Sequence, residues 1–380
     1  MLSDKIIKPI LAITVLVAGL WVGSSIAMHK RLWLDEIYSQ TSSIEPLSWQ
    51  QIWSGRIPEG NNSPLFYSIQ KVLCQAFHYQ GVDLWQQDDQ PGRLILRIDP
   101  IIFMSVALAL LTWYFLALEG WAGGALAVVL FITSHMVWGY WAEARPYAMV
   151  VMGTVWQGLA LHRFLKDRTE TGRTGMICAC HLFLALTSAL SVIQVAAASL
   201  VLWLGGMRRV RDIIFCCILP LTIGFSYYSL AIHHRSWFAP HEGPIPLILA
   251  NITSGRLVAL LVFPVVILCL ERFLRKPVER RVWLFALWTG LTLAGYILLL
   301  TYMKINSNPQ AMGSAQVSSR YFITLTPVGI MGMLILSMAL LRQVREHWLK
   351  WPVWIALLAI VLPRLIKTYH WVVAMHVWGG

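Results

Sequence analysis

Long apolar runs broken by short polar intervals recur along the chain, near residues 7–28, 97–118, 122–139, 146–163, 176–190, 191–205, 213–232, 256–270, 282–300, 321–341 and 352–366. A helix needs about 20 apolar residues to cross the hydrocarbon core of a bilayer. The pattern therefore predicts an all-α polytopic membrane protein with about eleven transmembrane helices. Runs 176–190 and 191–205 are short, and only Thr187 to Ser191 and Gln194 interrupt them. The first run, Pro9 to Met28, is longer than the 7–15 residues of a signal-peptide core. It is expected to remain as a first helix.

One hydrophilic segment is long, His29 to about Leu96. A long loop in a compact fold is usually functional or disordered. Here Leu47 to Ser54 and Pro64 to Phe77 are amphipathic and rich in aromatics, the pattern of helices lying in the membrane interface. Pro64 suits a first helical turn, where its missing N–H costs nothing. The expected organisation is one transmembrane domain over residues 1–380, with 29–96 as an ordered first outer loop. No fixed-period repeat, low-complexity tract or separate soluble domain is read from the sequence.

Composition sharpens this reading. Hydrophobic residues make up 57% of the chain and charged residues 13%, against about 25% charged in an ordinary soluble domain. The net charge of +12 would in a soluble protein suggest nucleic acid, but the basic residues follow topology. With the N-terminus cytoplasmic, 17 of the 30 Lys and Arg fall in cytoplasmic segments: Lys5 and Lys8, Arg163 to Arg173, Arg208 to Arg211, Arg272 to Arg281, and Arg342 to Lys350. These segments are short, so their basic density satisfies the positive-inside rule. The six cysteines lack zinc spacing, and all but Cys74 lie within apolar runs; they read as small buried residues.

The same topology places the unusual polar residues outside, several of them at helix ends. Ionisable groups near a bilayer are costly and tend to pair or face a cavity. Asp35-Glu36, just past the first helix, either caps an interfacial helix or supplies a base with an orienting neighbour. Arg145, ahead of Pro146, sits where a helix N-terminus favours an anion; the alternative is an internal pair with Glu143. Arg320-Tyr321 opens the tenth run either as a snorkelling anchor or, with Arg145, as a phosphate clamp, since guanidinium groups grip phosphate in a fork.

Taken in order, Leu34-Asp35-Glu36, Asn62-Ser63-Pro64-Leu65-Phe66-Tyr67, Leu96-Arg97-Ile98-Asp99-Pro100, Tyr140 through Tyr147 and Ser319-Arg320-Tyr321 resemble the GT-C glycosyltransferases. The resemblance is greatest to bacterial relatives of the protein O-mannosyltransferases and the aminoarabinose transferases. It implies transfer of a sugar from a polyprenyl-phosphate donor to a glycan, lipid or protein hydroxyl, with inversion, on the non-cytoplasmic face of the cell (inner) membrane. It makes Asp35 the base and Glu36 its neighbour. Arg145, Arg320 and Tyr321 fall to the lipid phosphate, and Asn62, Glu143 and Tyr147 to the substrate site. No cofactor is expected, and no nucleotide, because the donor arrives through the membrane.

The sequence departs from the family where many relatives have His-Pro-Pro-Leu and it has Asn62-Ser63-Pro64-Leu65. It has Thr187-Ser188-Ala189 where relatives often have Thr-His-Tyr. His233, His234 and His241 are the remaining candidates to hold a divalent metal, though none is expected to be required. Two other readings stay open: a lipid or glycan transporter or flippase, and a non-catalytic accessory subunit of the same fold. Charges at helix ends rather than mid-span, and the lack of a repeat, speak against the transporter.

Overall fold

The computed structural model describes residues 4–58, 63–79, 90–167, 172–232, 279–306, 323–343 and 347–378. Among them every regular element is helical. The chain runs through α1 (Asp4–His29), α2 (Leu34–Ser39), α3 (Trp49–Trp53), α4 (Pro64–Ala76), α5 (Gln90–Ile132), α6 (His135–Tyr140) and α7 (Tyr147–Lys166). It continues through α8 (Gly172–Thr187), α9 (Ser191–Leu204), α10 (Val210–Ile213), α11 (Leu219–Ile232), α12 (Arg280–Asn306), α13 (Leu325–Gln343) and α14 (His347–Trp378). Gln40–Ile44 and Ile214–Ile218 are π-helical turns.

Four stretches among the described residues are long and apolar enough to cross a membrane: Ile6–His29, Gly92–Ile132, Val210–Ala231 and Arg280–Leu299. Ile10, Ile13, Val17 and Trp21 stand exposed along α1, as a lipid-facing surface requires. This is an integral membrane protein. The four are fewer than the eleven spans expected, for several reasons. The run at 256–270 lies outside the described residues, and α8, α9 and α13 are apolar but short. Helix α7 carries buried Thr154, Gln157 and His162, which lower its hydropathy.

Helix α5 also holds two expected spans in one element. Gly120 adopts φ 71°, ψ −159°, a conformation open mainly to glycine. A Cβ on Gly124 would lie 3.0 Å from the Cβ of Leu116. Eight residues of straight helix advance about 12 Å, so the chain must reverse at Gly120. The stretch is a hairpin, and the break expected between 118 and 122 falls there. The weakest expected boundary also appears, with α8 ending at Thr187 and α9 beginning at Ser191.

Helix α7 is buried along nearly its whole length and forms the centre of the bundle. Gln194 of α9 donates to Thr154 Oγ1 at 3.0 Å and Gln157 Oε1 at 2.9 Å, a polar stitch of the kind that joins membrane helices. On α1, Gly19 and Gly23 lie one turn apart against α5. A Cβ at Gly23 would come within 2.8 Å of Ile101 and 2.9 Å of Trp141. Small residues at this spacing let two backbones approach closely.

The long hydrophilic segment after α1 is folded where described, and a helix forms in each of the two amphipathic stretches. Ser48 and Gln51 make a reciprocal capping box on α3, and Ser63 Oγ caps α4 through Phe66 N–H at 3.3 Å. Ile37, Ile44, Ile52, Ile57 and Phe66 form a second core with Leu96 of α5 and Met149 of α7. Tyr227 of α11 donates to Ile52 C=O at 2.9 Å, and Gly55, at φ 74°, admits the backbone of Ala231. The loop is thereby fastened to the end of the bundle.

Candidate functional site

Helix α1 ends at His29 and leaves C-terminal carbonyls without intrahelical donors. Arg97, near the start of α5 and 0% exposed, supplies a donor to one of them and to two carbonyls just past the helix. Its Nη1 bonds Ala27 C=O at 3.1 Å and Lys30 C=O at 2.5 Å, and its Nη2 bonds Arg31 C=O at 2.9 Å. The remaining N–H groups grip Glu36, Nε to Oε1 at 2.9 Å and Nη2 to Oε2 at 2.7 Å. All five guanidinium donors are used.

Glu36 is 1% exposed and accepts two backbone bonds as well, from Trp33 N–H at 3.0 Å and Ala144 N–H at 2.7 Å. Burial alone would raise its pKa. The Arg97 charge and hydrogen bonds, then Lys30 and the Ala144 N–H, outweigh burial and hold the carboxyl below its ordinary value. One ion pair thus ties together the end of α1, the start of α2, the start of α5 and the segment before α7.

The residues flanking Ala144 are Glu143 and Arg145. Because Ala144 is bound to Glu36, Arg145 is brought to α2, where its Nη1 donates to Asp35 C=O at 3.3 Å and to Ser39 Oγ. Asp35 is half-buried on the same turn. Glu143, 5% exposed, has an oxygen 3.6 Å from Lys30 Nζ, which also bonds Gly139 C=O. The rings of Tyr140 and Tyr147 lie 4.8 Å apart beside them. Two carboxylates and two cations therefore gather around a neutralised buried pair, at one end of the apolar helices. Such a set can take up a proton and neutralise an anion within a few ångströms of each other.

Of the residues expected at the site, Asp35, Glu36, Glu143, Arg145 and Tyr147 come together; Asn62, Arg320, Tyr321 and the loop His233–His241 lie outside the described residues. Among the described residues no three His, Cys, Asp or Glu form a metal-binding set. Sequence reasoning assigned no role to Arg97, Lys30 or Ser39. The signal for Arg97 was an arginine about two turns into an apolar helix, which had to find partners inside the protein. Asp99 is in the same position and meets Gln70 Nε2 at 2.5 Å.

No family model and no curated protein matches the chain. Among solved structures, the crystal structure of ArnT from Cupriavidus metallidurans bound to undecaprenyl phosphate is similar, with a TM-score of 0.52 and 11% identity. The match covers 97% of this chain and 74% of that one. At this identity the likeness is one of fold.

Proposed function

We propose that this protein is a GT-C glycosyltransferase that moves a sugar from a polyprenyl-phosphate donor to an acceptor hydroxyl, with inversion. The observation that carries the reading is the Glu36–Arg97 pair, which holds Arg145 against the turn bearing Asp35. Asp35 takes the acceptor proton as the new bond to the anomeric carbon forms. The bond from that carbon to the phosphate breaks, and Arg145, joined by Arg320 and Tyr321, receives the charge left on the lipid phosphate. Glu36 keeps the frame, since its oxygens already accept four bonds. Asn62, Glu143 and Tyr147 contact the substrates.

Undecaprenyl phosphate, the lipid on the similar ArnT structure, is of the class that the proposed transfer releases once the sugar has left the donor. The whole chain acts as one transmembrane unit of eleven spans in the cell membrane, with its N-terminus cytoplasmic and the Asp35 end outside. It needs no cofactor. The test is to incubate the purified protein with sugar-loaded polyprenyl phosphates and acceptors, and to assay free polyprenyl phosphate. Release that depends on acceptor supports the reading. Passage of intact lipid between leaflets without cleavage would make the protein a transporter instead.

A further inference from the structure

The two ends of the bundle are about one bilayer apart. From Arg97 to Glu119 along the first leg of α5 is about 33 Å, and α7 from Tyr147 to Lys166 is about 29 Å. The hydrocarbon core of a membrane is about 30 Å thick. The end opposite Asp35 and Arg145 therefore lies at the other interface, and it has a charged site of its own.

There, between α5, α7, α12 and α13, is a cavity of about 260 Å³ lined by Glu119, His162, Glu279, Arg281 and Arg342, with Phe115 and Ile335 among its apolar walls. A second cavity of about 350 Å³ shares Glu279 and Arg281 with it and adds Lys166 and Arg280. Together they make one trough.

Its carboxylates are already engaged. Glu119 takes both a 3.1 Å bond from Arg342 Nε and a second from Nη2, and Glu279 pairs with Arg281. Lys166 and Arg280 have no carboxylate partner among the described residues; Arg280 donates to Leu204 C=O at 2.9 Å. His162 is itself held by Tyr114, whose OH lies 2.6 Å from its Nδ1. Arg281 lines both cavities, with Arg342 in the first and Lys166 in the second, so their charges converge on the trough. A basic pocket between helices at the membrane surface, with apolar walls running into the bilayer, suits a lipid headgroup with its chains alongside.

We propose that this trough binds the phosphate headgroup of an anionic phospholipid, through Lys166 and Arg280, at the face opposite the glycosyl-transfer site. The proposal does not depend on that transfer.

The test is native mass spectrometry of the full-length protein in detergent, titrated with phosphatidylglycerol and, separately, with phosphatidylcholine. The wild type should retain phosphatidylglycerol selectively. Each charge removed should weaken binding about fivefold, so Lys166→Gln with Arg280→Gln should lose about 25-fold. Both side chains are exposed, and Lys166→Arg with Arg280→Lys should keep most of the affinity. Glu279→Gln, which removes a competing carboxylate, should strengthen it. Equal binding by the wild type and the neutralised double variant, or no gain with Glu279→Gln, would overturn the proposal. Displacement of the lipid by millimolar inorganic phosphate would also overturn it, because the trough would then be a site for the free anion.

Discussion

Arg97 and Glu36, 61 residues apart in sequence, face each other with two parallel hydrogen bonds of 2.9 and 2.7 Å, both side chains closed off from solvent. The planar guanidinium fork suits this bidentate geometry, which lysine cannot reproduce. The pair is held by two backbone N–H groups on one side and three carbonyls on the other. It joins the segment after α1 to the helical bundle and, through Ala144, holds Arg145 beside α2.

Removing one partner leaves the other charge buried and uncompensated. Glu36→Gln or Arg97→Met should each cost about 3–5 kcal/mol. Combining Arg97→Met with Glu36→Gln should cost less than the two single losses together, a coupling that thermal unfolding in detergent can measure. Additive losses would show that the two residues act separately.

The sign of the pH dependence follows from the depressed Glu36 carboxyl. Its contribution is fully present above the ordinary value of 4.5 and is lost as pH falls below that toward the folded-state pKa. The melting temperature attributable to this pair should be level from neutral pH down to about that value and then drop on further acidification. In Glu36→Gln that acid-dependent drop should be smaller, whatever the starting stability. An identical acid profile in the variant would remove Glu36 as its cause.

Asp35→Asn preserves shape and removes a proton acceptor. Transfer should fall by about 10²-fold or more while donor binding persists. Arg145→Ala should weaken the donor complex by about 1.5–3 kcal/mol, with partial recovery in Arg145→Lys. Turnover by Asp35→Asn at the wild-type rate would reassign the base, with Glu143 the next carboxylate at the site.

Gly23→Val would drive a branched side chain into Ile101 and Trp141, which already stand within 3 Å of the place a Cβ would take. Overpacking of this kind costs about 1–3 kcal/mol. Because α1 ends at the carbonyls that Arg97 holds, activity should fall with stability. Gly175→Val, where a Cβ meets nothing within 4 Å, should leave both much less affected.

Orientation is open to labelling. In a background without other cysteines, Gln50→Cys should react in intact cells with a membrane-impermeant reagent, and Arg209→Cys should react only after permeabilisation. The reverse pattern would put the Asp35 end in the cytoplasm.

The sequence by itself determined that this is a helical membrane protein, because an apolar run is read by the bilayer residue by residue and needs no partner. It also indicated where α1, α4 and α7 would fall, since caps, Pro146 and polar interruptions act locally. The short motifs brought Asp35, Glu36, Glu143 and Arg145 forward as candidates, without saying which met which. Only the tertiary structure decided that Arg97 is the partner of Glu36, that Ala144 hands Arg145 to α2, and that Gly23 packs against Trp141. Those facts depend on contacts between residues tens to more than a hundred positions apart. A buried charge has to find its counter-charge somewhere in the fold, but nothing local in the sequence says where.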